Sequence, residues 1–145
     1  MNLNVTLILF GQLSRVIPGL VKYLEISEAW TKGRTKVDDI VAFLYSGRMQ
    51  LWAFYTQTEQ VIELVGHMIT EIREYPRCKM LVLQYCAGEP HYMQHIEDQM
   101  YDTLERYAKD AGCKGIEFIG RPGWKRSAVA HGYTSQSVIF EKYFE

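Results

Sequence analysis

The stretch LVLQYCAGEPHYMQHIEDQMYDTLERYAKDAGCKGIEFIG, residues 81–120, has the order strand, turn, long helix, strand. Pro90 suits the first position of the helix and Gly112 suits its end. A unit of this kind joins two parallel strands by a right-handed crossover. The apolar residues that recur every three or four positions in the helix are Met93, Ile96, Met100, Leu104 and Tyr107. The turn before such a helix is where a phosphate usually binds, but here it contains one glycine and no cation.

The segments on either side of this unit extend the sheet. Apolar and alternating patterns predict strands at 3–10, 50–56, 61–75, 80–86, 115–119 and 136–144. Helical spacing predicts helices at 12–26, 36–45 and 122–131, the first of them interrupted at Pro18-Gly19. The order β-α-α-β-β-β-α-β-α-β predicts an α+β fold, in which a mixed twisted sheet combines an antiparallel meander with the crossover and carries helices on both faces. We expect one domain over residues 1–145.

Composition excludes several classes of protein. The chain has 145 residues, 48% of them apolar, and a net charge of −1, which argues against general nucleic-acid binding. Three isolated cysteines fit a reducing cytoplasm better than a disulfide framework. No cluster of cysteine and histidine has metal-ligand spacing, so we expect no metal. The apolar run near the start is too short to span a membrane and has no signal-peptide flank.

The long predicted strand at 61–75 alternates two kinds of side chain. Ile62, Leu64, Met68 and Ile72 occupy one set of positions, whereas Glu63, His67, Glu71 and Arg73 occupy the other. This alternation predicts a half-buried antiparallel strand. The polar set is either the solvent face of that strand or a source of acid and base groups.

The element order, with Gly132-Tyr133 before a final strand, resembles the GCN5-related N-acetyltransferase (GNAT) superfamily. The resemblance spans nearly the whole chain. It implies that acetyl-CoA lies in a cleft where the two parallel strands separate. It also implies that the pyrophosphate meets the loop after the first of these strands and the N-terminus of the next helix, where unpaired amides and the helix dipole attract an anion.

The family's loop motif, Q/R-x-x-G-x-G/A, is strongly altered here. Ala108 and Gly112 match the small residues that follow the motif in the family helix, which places the motif on residues 92–97. Tyr92 then replaces the Gln/Arg, and His95 and Glu97 replace the small residues. A carboxylate at this point repels a diphosphate. A second register, Cys86-Ala87-Gly88-Glu89, keeps a small-residue turn but loses the spacing.

The resemblance implies a set of site residues. Glu63 and His67 are the candidate catalytic bases, because they occupy a strand where the family often places its base. The candidate cofactor-binding residues are Tyr85, Cys86, Ala87, Gly88, Tyr92, His95, Arg121 and Lys125. The family's general-acid tyrosine corresponds to Ala128, and its asparagine to Arg121. Trp124, Lys125 and Arg126 suit either the adenine and 3′-phosphate of CoA or a partner protein.

The segment GRPGWKRSAVAHGY, residues 120–133, is similar to segments of GNAT-like proteins of tailed bacteriophages, some of them virion components. Two functions follow. One is an acetyl-CoA-dependent N-acetyltransferase-like protein that transfers the acyl group to an unknown amine. The other is a non-catalytic virion or host-interaction protein that has lost the pyrophosphate loop and binds a phage or host protein. We expect either to reside in the cytoplasm of the host cell or in the virion, and neither to bind nucleic acid or membrane.

Overall fold

The computed structural model describes residues 2–144, and its five strands form one mixed sheet in the order β1-β2-β3-β4-β5. The first four strands pair antiparallel, and β5 is parallel to β4. The strands are β1 (Leu3–Leu7), β2 (Met49–Gln57), β3 (Ile62–Glu74), β4 (Lys79–Gly88) and β5 (Gly115–Phe118). The predicted α+β class, the meander and the parallel crossover are confirmed.

Helices cover both faces of the sheet. They are α1 (Leu13–Trp30), α2 (Val37–Tyr45), α3 (Pro90–Asp110) and α4 (Lys125–Ala130), and short 3₁₀ turns at Phe10–Gln12 and Pro122–Trp124 precede α1 and α4. One core lies under α1 and α2, around Leu20, Leu24 and Ile40. The other lies under α3, around Ile96 and Leu104. Within residues 2–144, no helix is both long enough and apolar enough to cross a bilayer.

The predicted interruption of the first helix at Pro18-Gly19 is wrong, because α1 runs through both residues. Buried leucines on either side of the proline, Leu13 and Leu20, hold the helix on the sheet. This packing offsets the backbone hydrogen bond that a proline removes. Gly19 contributes as well: a Cβ at this position would lie 2.7 Å from Cδ1 of Leu64, so glycine lets α1 approach β3 closely.

The predicted alternation along the long strand fails at its beginning. Phe54 pairs with Gly66 but Tyr55 pairs with Leu64, so Val65 is an extra residue in β3. A bulge of this kind reverses which side chains face each side of the sheet. Leu64 therefore packs toward α1, whereas Met68 packs toward α3. The two were predicted to share a face.

The predicted closing strand at 136–144 is wrong. These residues belong to the described part of the chain and form no strand. Instead the carboxylate of Glu141 binds two cations of the loop between α1 and α2, at 3.0 Å from Nζ of Lys32 and 2.6 Å from Nη2 of Arg34. The outer edge of β5 is consequently left without a strand partner in residues 2–144.

Candidate functional site

A cleft opens where β4 and β5 separate. The two strands pair from Met80–Leu83 to Gly115–Phe118, and β4 then continues to Gly88 without its neighbour. The separation coincides with a second bulge, at Gln84: Ile69 pairs with Tyr85 but Thr70 pairs with Leu83. A bulge bends its strand and increases the local twist. The edge of β4 that faces β5 therefore has no strand partner in the described chain at residues 84–88.

A cavity of about 300 Å³ lies between α3 and the segment that follows β5. Two of its lining residues, Met93 and Met100, lie against Gly88 and Cys86 of β4. The cavity opens to solvent and is lined by Met93, Gln94, Ile96, Glu97, Met100, Arg121, Gly123, Trp124 and Ser127. Arg121 is the positively charged residue of this lining. The guanidinium carbon of Arg121 lies 4.2 Å from the centre of the Trp30 ring, and its side chain forms no salt bridge within residues 2–144. An anion entering the cavity would meet this unpaired charge.

Close backbone contacts hold β3 against the end of β4. Gly66 and Gly88 face each other across β3 and β4. A Cβ on Gly66 would lie 2.7 Å from the carbonyl oxygen of Ala87. A Cβ on Gly88 would lie 2.6 Å from Sδ of Met93, so the Met93 side chain covers this turn. The predicted small-residue turn is therefore present, but a methionine occupies the space above it.

The first turn of α3 offers few donors to an anion. Pro90 has no N–H, and the amides of Tyr92 and Met93 both donate to the carbonyl of Glu89. The Glu89 carboxylate also accepts from the Tyr23 hydroxyl, at 2.9 Å, and pairs with a lysine of α1 at 2.6 Å. The predicted motif at 92–97 lies inside the helix, where backbone amides bond to the preceding turn.

Glu97 and the surrounding side chains set the electrostatics of the cavity wall. Its carboxylate lines the cavity, 3.5 Å from Nδ1 of His131. Nε2 of His131 lies 2.7 Å from Asp98, and the ring stacks on Tyr101 at 4.2 Å. The hydrogen bond to the carbonyl of Ser127, and then these carboxylates, raise the pKa of His131 above its ordinary value.

A hydroxyl residue also lines the cavity, and the sequence did not predict it. Ser127 lines it, and the Ser127 hydroxyl lies 3.0 Å from that of Tyr101. Burial raises the pKa of Tyr101 above its ordinary value. Ser127 immediately precedes Ala128, the position to which the resemblance assigns the general acid. The sequence gives one indication of Ser127. It lies four residues before His131, so a helix places both side chains on the same face.

His67 does not reach the cleft. Its side chain is fully buried on the α1 side of β3, with Nε2 at 3.1 Å from the Ser27 hydroxyl. Nδ1 has no hydrogen-bond partner among residues 2–144. Burial lowers the pKa of the imidazole to about 3, so His67 is neutral at pH 7. The predicted alternation set it among polar groups, whereas it belongs to the core.

Glu63 lies elsewhere on β3. It is exposed and pairs with Thr56 at the end of the sheet where β4 runs into α3. A molecule from solvent can contact it directly. The structure thus separates the two candidate bases, one exposed and one enclosed, and their roles stay predictions.

The candidate cofactor-binding residues lie on both faces of the sheet and around the cavity. Cys86 faces α3, with Sγ 3.8 Å from Sδ of Met100, and the packing around its thiol raises the pKa to about 12. Tyr85 and Ala87 face α1 instead. Among the others, Arg121 lines the cavity, whereas Lys125 and His95 are exposed outside its lining. Tyr92 packs into the core beneath α3.

Metal ligation has no candidate in the part of the chain that the structure describes. Residues 2–144 contain no group of three or more histidine, cysteine, aspartate or glutamate side chains placed to hold an ion.

Solved structures of acetyltransferases share this fold along its whole length. A GNAT family acetyltransferase of Staphylococcus aureus is 12% identical, with a TM-score of 0.67 over 99% of this chain and 100% of its own. An acetyltransferase of Clostridium acetobutylicum, solved with acetyl-CoA, is 12% identical, with a TM-score of 0.68 over 97% and 96%. AAC(6′)-Iy, solved with the bisubstrate analogue CoA-S-monomethyl-acetylneamine, is 15% identical, with a TM-score of 0.69 over 99% of each chain.

No family model matches the sequence, and no curated protein matches it. At identities of 12–15%, the structural similarity establishes the fold. The chain has the GNAT acetyltransferase fold.

Proposed function

We propose that the protein is a divergent acetyl-CoA-dependent N-acetyltransferase-like protein, with a CoA thioester in the cleft between β4 and β5. The observation that carries the proposal is the unpartnered edge of β4 at residues 84–88. Sγ of Cys86 in this stretch lies 3.8 Å from Sδ of Met100, which lines the cavity. An elongated amide-containing group such as pantetheine can pair with a free strand edge as an added strand would. Two neighbours in the same fold were solved with acetyl-CoA or a CoA analogue, which supports this choice of ligand.

Arg121 is the group that we assign to the phosphates. It is the cation of the cavity lining and has no salt bridge in residues 2–144. An arginine can bind a phosphate through two parallel hydrogen bonds. Arg121 would bind the phosphates in place of the amides of a glycine-rich loop, because the first turn of α3 has few free donors. Lys125 adds positive charge at the edge of the same segment.

The chemistry would be attack by a neutral amine on the thioester carbonyl. A bond forms between nitrogen and the acyl carbon, the carbon–sulfur bond breaks, and the thiolate of CoA accepts a proton. Glu63 is the candidate base that solvent can reach. We assign proton donation to the Ser127 hydroxyl, which lines the cavity and is backed by Tyr101. The amine acceptor is left open.

A second candidate function is a non-catalytic protein that binds a protein partner. Its specific support is the altered phosphate site: Met93 covers Gly88, the glutamate of the cavity wall repels a diphosphate, and the motif residues are helical. The resemblance to bacteriophage proteins rests on residues 120–133 alone, so a virion or host-cytoplasm location stays a prediction.

Calorimetric titration with CoA at low salt separates the two candidates. We expect the wild-type protein to bind CoA in the micromolar range. Arg121→Ala should weaken binding by about 10- to 150-fold, since a hydrogen bond to a charged group contributes about 1.5–3 kcal/mol. Arg106→Ala, an exposed arginine of α3 outside the cavity, is the matched control and should bind as wild type does. No heat at millimolar CoA would reject the first candidate in favour of the second.

A further inference from the structure

His131 follows the last residue of α4 and joins this helix to α3. Nδ1 of its ring lies 2.9 Å from the carbonyl oxygen of Ser127, and Nε2 lies 2.7 Å from a carboxylate oxygen of Asp98. Both partners are acceptors, so both ring nitrogens must donate. A neutral imidazole has one N–H only, and two donated bonds therefore require the charged imidazolium. The contacts of His131 thus identify a second cation next to the cavity.

The surroundings of the ring stabilise this charged form. The Glu97 carboxylate lies 3.5 Å from Nδ1, and the Tyr101 ring stacks on the imidazole with the two ring centres 4.2 Å apart. A nearby carboxylate favours the charged form of a histidine, and an aromatic face attracts a cation. Within residues 2–144, the titratable groups paired or stacked with the ring are Glu97, Asp98 and Tyr101, all on α3, and α4 presents the Ser127 carbonyl.

This cation lies behind the part of the cavity wall that opposes an anion. Glu97 and Ser127 both line the cavity, whereas His131 contacts them from outside the lining. A carboxylate in the wall repels a diphosphate, and an ion pair with His131 offsets that repulsion. The charge that an anion meets beside Arg121 therefore depends on whether His131 is protonated.

We propose that His131 controls the binding of a diphosphate in the cavity: as an imidazolium it neutralises Glu97 and lets the anion bind, and as a neutral ring it does not. This role rests on the proposed function, which supplies the pyrophosphate of CoA as the ligand. His131 acts through Glu97 and is a positioning residue. The pKa of His131 is raised, so its charge is present below that raised value and is lost as the pH rises through it.

Calorimetric titration with CoA, and separately with inorganic pyrophosphate, at pH 6.0 and 9.0 tests this role. The quantity compared is the dissociation constant of a variant divided by that of wild type, because the titration of the ligand cancels in this ratio. For His131→Gln the ratio should be about three to five at pH 6.0, the size of an ion-pair contribution at a partly exposed site, and near one at pH 9.0.

Two further variants separate charge from structure, and circular dichroism checks that each variant folds. His131→Lys keeps the positive charge at both pH values, so it should bind as wild type does at pH 6.0 and about three to five times more tightly at pH 9.0. Glu97→Gln removes the repulsion itself and should strengthen binding mainly at pH 9.0. His91→Gln, at an exposed histidine of α3 outside the cavity lining, is the matched control and should give a ratio of one throughout.

The outcomes distinguish this role from the proposed function. Weaker binding by His131→Gln to the same extent at both pH values, with no recovery in His131→Lys, would mean that the ring only holds α4 in place, and would overturn the proposal. Binding of pyrophosphate with the expected ratios, but no binding of CoA, would reject CoA as the ligand and support the role of His131. Absence of heat with both ligands would overturn both.

Discussion

His67 illustrates how strongly burial controls a titratable side chain in this protein. The imidazole is enclosed between β3 and α1, with one hydrogen bond to Ser27 and a second ring nitrogen that has no partner in residues 2–144. An isolated charge in such a place is very costly, so the ring stays neutral. A base with a near-neutral pKa needs solvent or a counter-charge, and His67 has neither.

The pKa of His67 predicts a specific loss of stability in acid. Its pKa falls from 6.5 in the unfolded chain to about 3 in the fold, so between these values the unfolded state binds more protons. The contribution is complete above pH 6.5 and is lost as the pH falls toward 3, by up to about 1.4 kcal/mol per pH unit. Urea unfolding at pH 7, 5.5 and 4.5 measures it. His67→Gln removes the titration while keeping a partner for Ser27, and should show a shallower dependence on pH.

Carboxylates that titrate in the same range are common to both proteins, so the comparison isolates His67. Equal pH dependence of the wild type and His67→Gln would mean that the imidazole titrates freely and that the enclosure described here is incorrect.

His67 also shows which feature of the strand the sequence alone does not predict. Alternation predicted the polar set Glu63, His67 and Glu71, but the extra residue at Val65 changes which way the start of the strand faces. A bulge depends on pairing with a neighbouring strand, which one sequence does not display. The resemblance predicted a role for Arg121, which the structure places in the cavity lining and whose role stays a prediction. The contact between Ser127 and Tyr101 was not predicted, because these residues meet only when α3 and α4 pack together.

At the scale of elements, the contact between β3 and β4 fixes the inner end of the cleft. Gly66 pairs with Gly88, and both approach neighbouring backbone more closely than any side chain would allow. Backbone cannot move aside as a flexible side chain can. The two glycines therefore hold the end of β4 in place as it enters α3.

Gly66→Ala should destabilise the protein, because its Cβ would lie 2.7 Å from both the Ala87 carbonyl oxygen and Cα of Gly88. Overpacking of this kind costs about 1–3 kcal/mol. Gly11→Ala is the matched control, since nothing lies within 4 Å of a Cβ built there, and it should change stability by less than about 0.5 kcal/mol. Thermal and urea unfolding measure both. A Gly66→Ala variant as stable as the control would show that β3 and β4 lie further apart.

Elements with a strong internal pattern were predictable, and those that depend on a partner were not. The apolar repeat and Pro90 predicted the first residue of α3, and the structure begins it there. Residues 136–144 have an equally clear strand pattern, yet they do not pair with the open edge of β5. Glu141 in this segment instead pairs with Lys32 and Arg34, a contact that the sequence pattern does not display. Pro18 predicted a break that packing against the sheet overrides.

For the whole molecule, the fold and the function stand on different observations. The topology and the similarity along the full chain establish the GNAT acetyltransferase fold. The proposed binding of CoA rests instead on a few features of one cleft: a bulge at Gln84, a free strand edge and an unpaired arginine. A fold hosts many activities, and the site decides between them.

Hydrogen exchange of the β4 amides, with and without 1 mM CoA, tests the central claim most directly. If the pantetheine arm pairs with the free edge of β4, amides within residues 84–88 should exchange at least about tenfold more slowly when CoA is present. Residues 52–56 of β2, which are paired on both sides, should be unchanged and serve as the internal reference. Exchange at 84–88 that CoA leaves unaltered would contradict the assignment of this cleft to the cofactor.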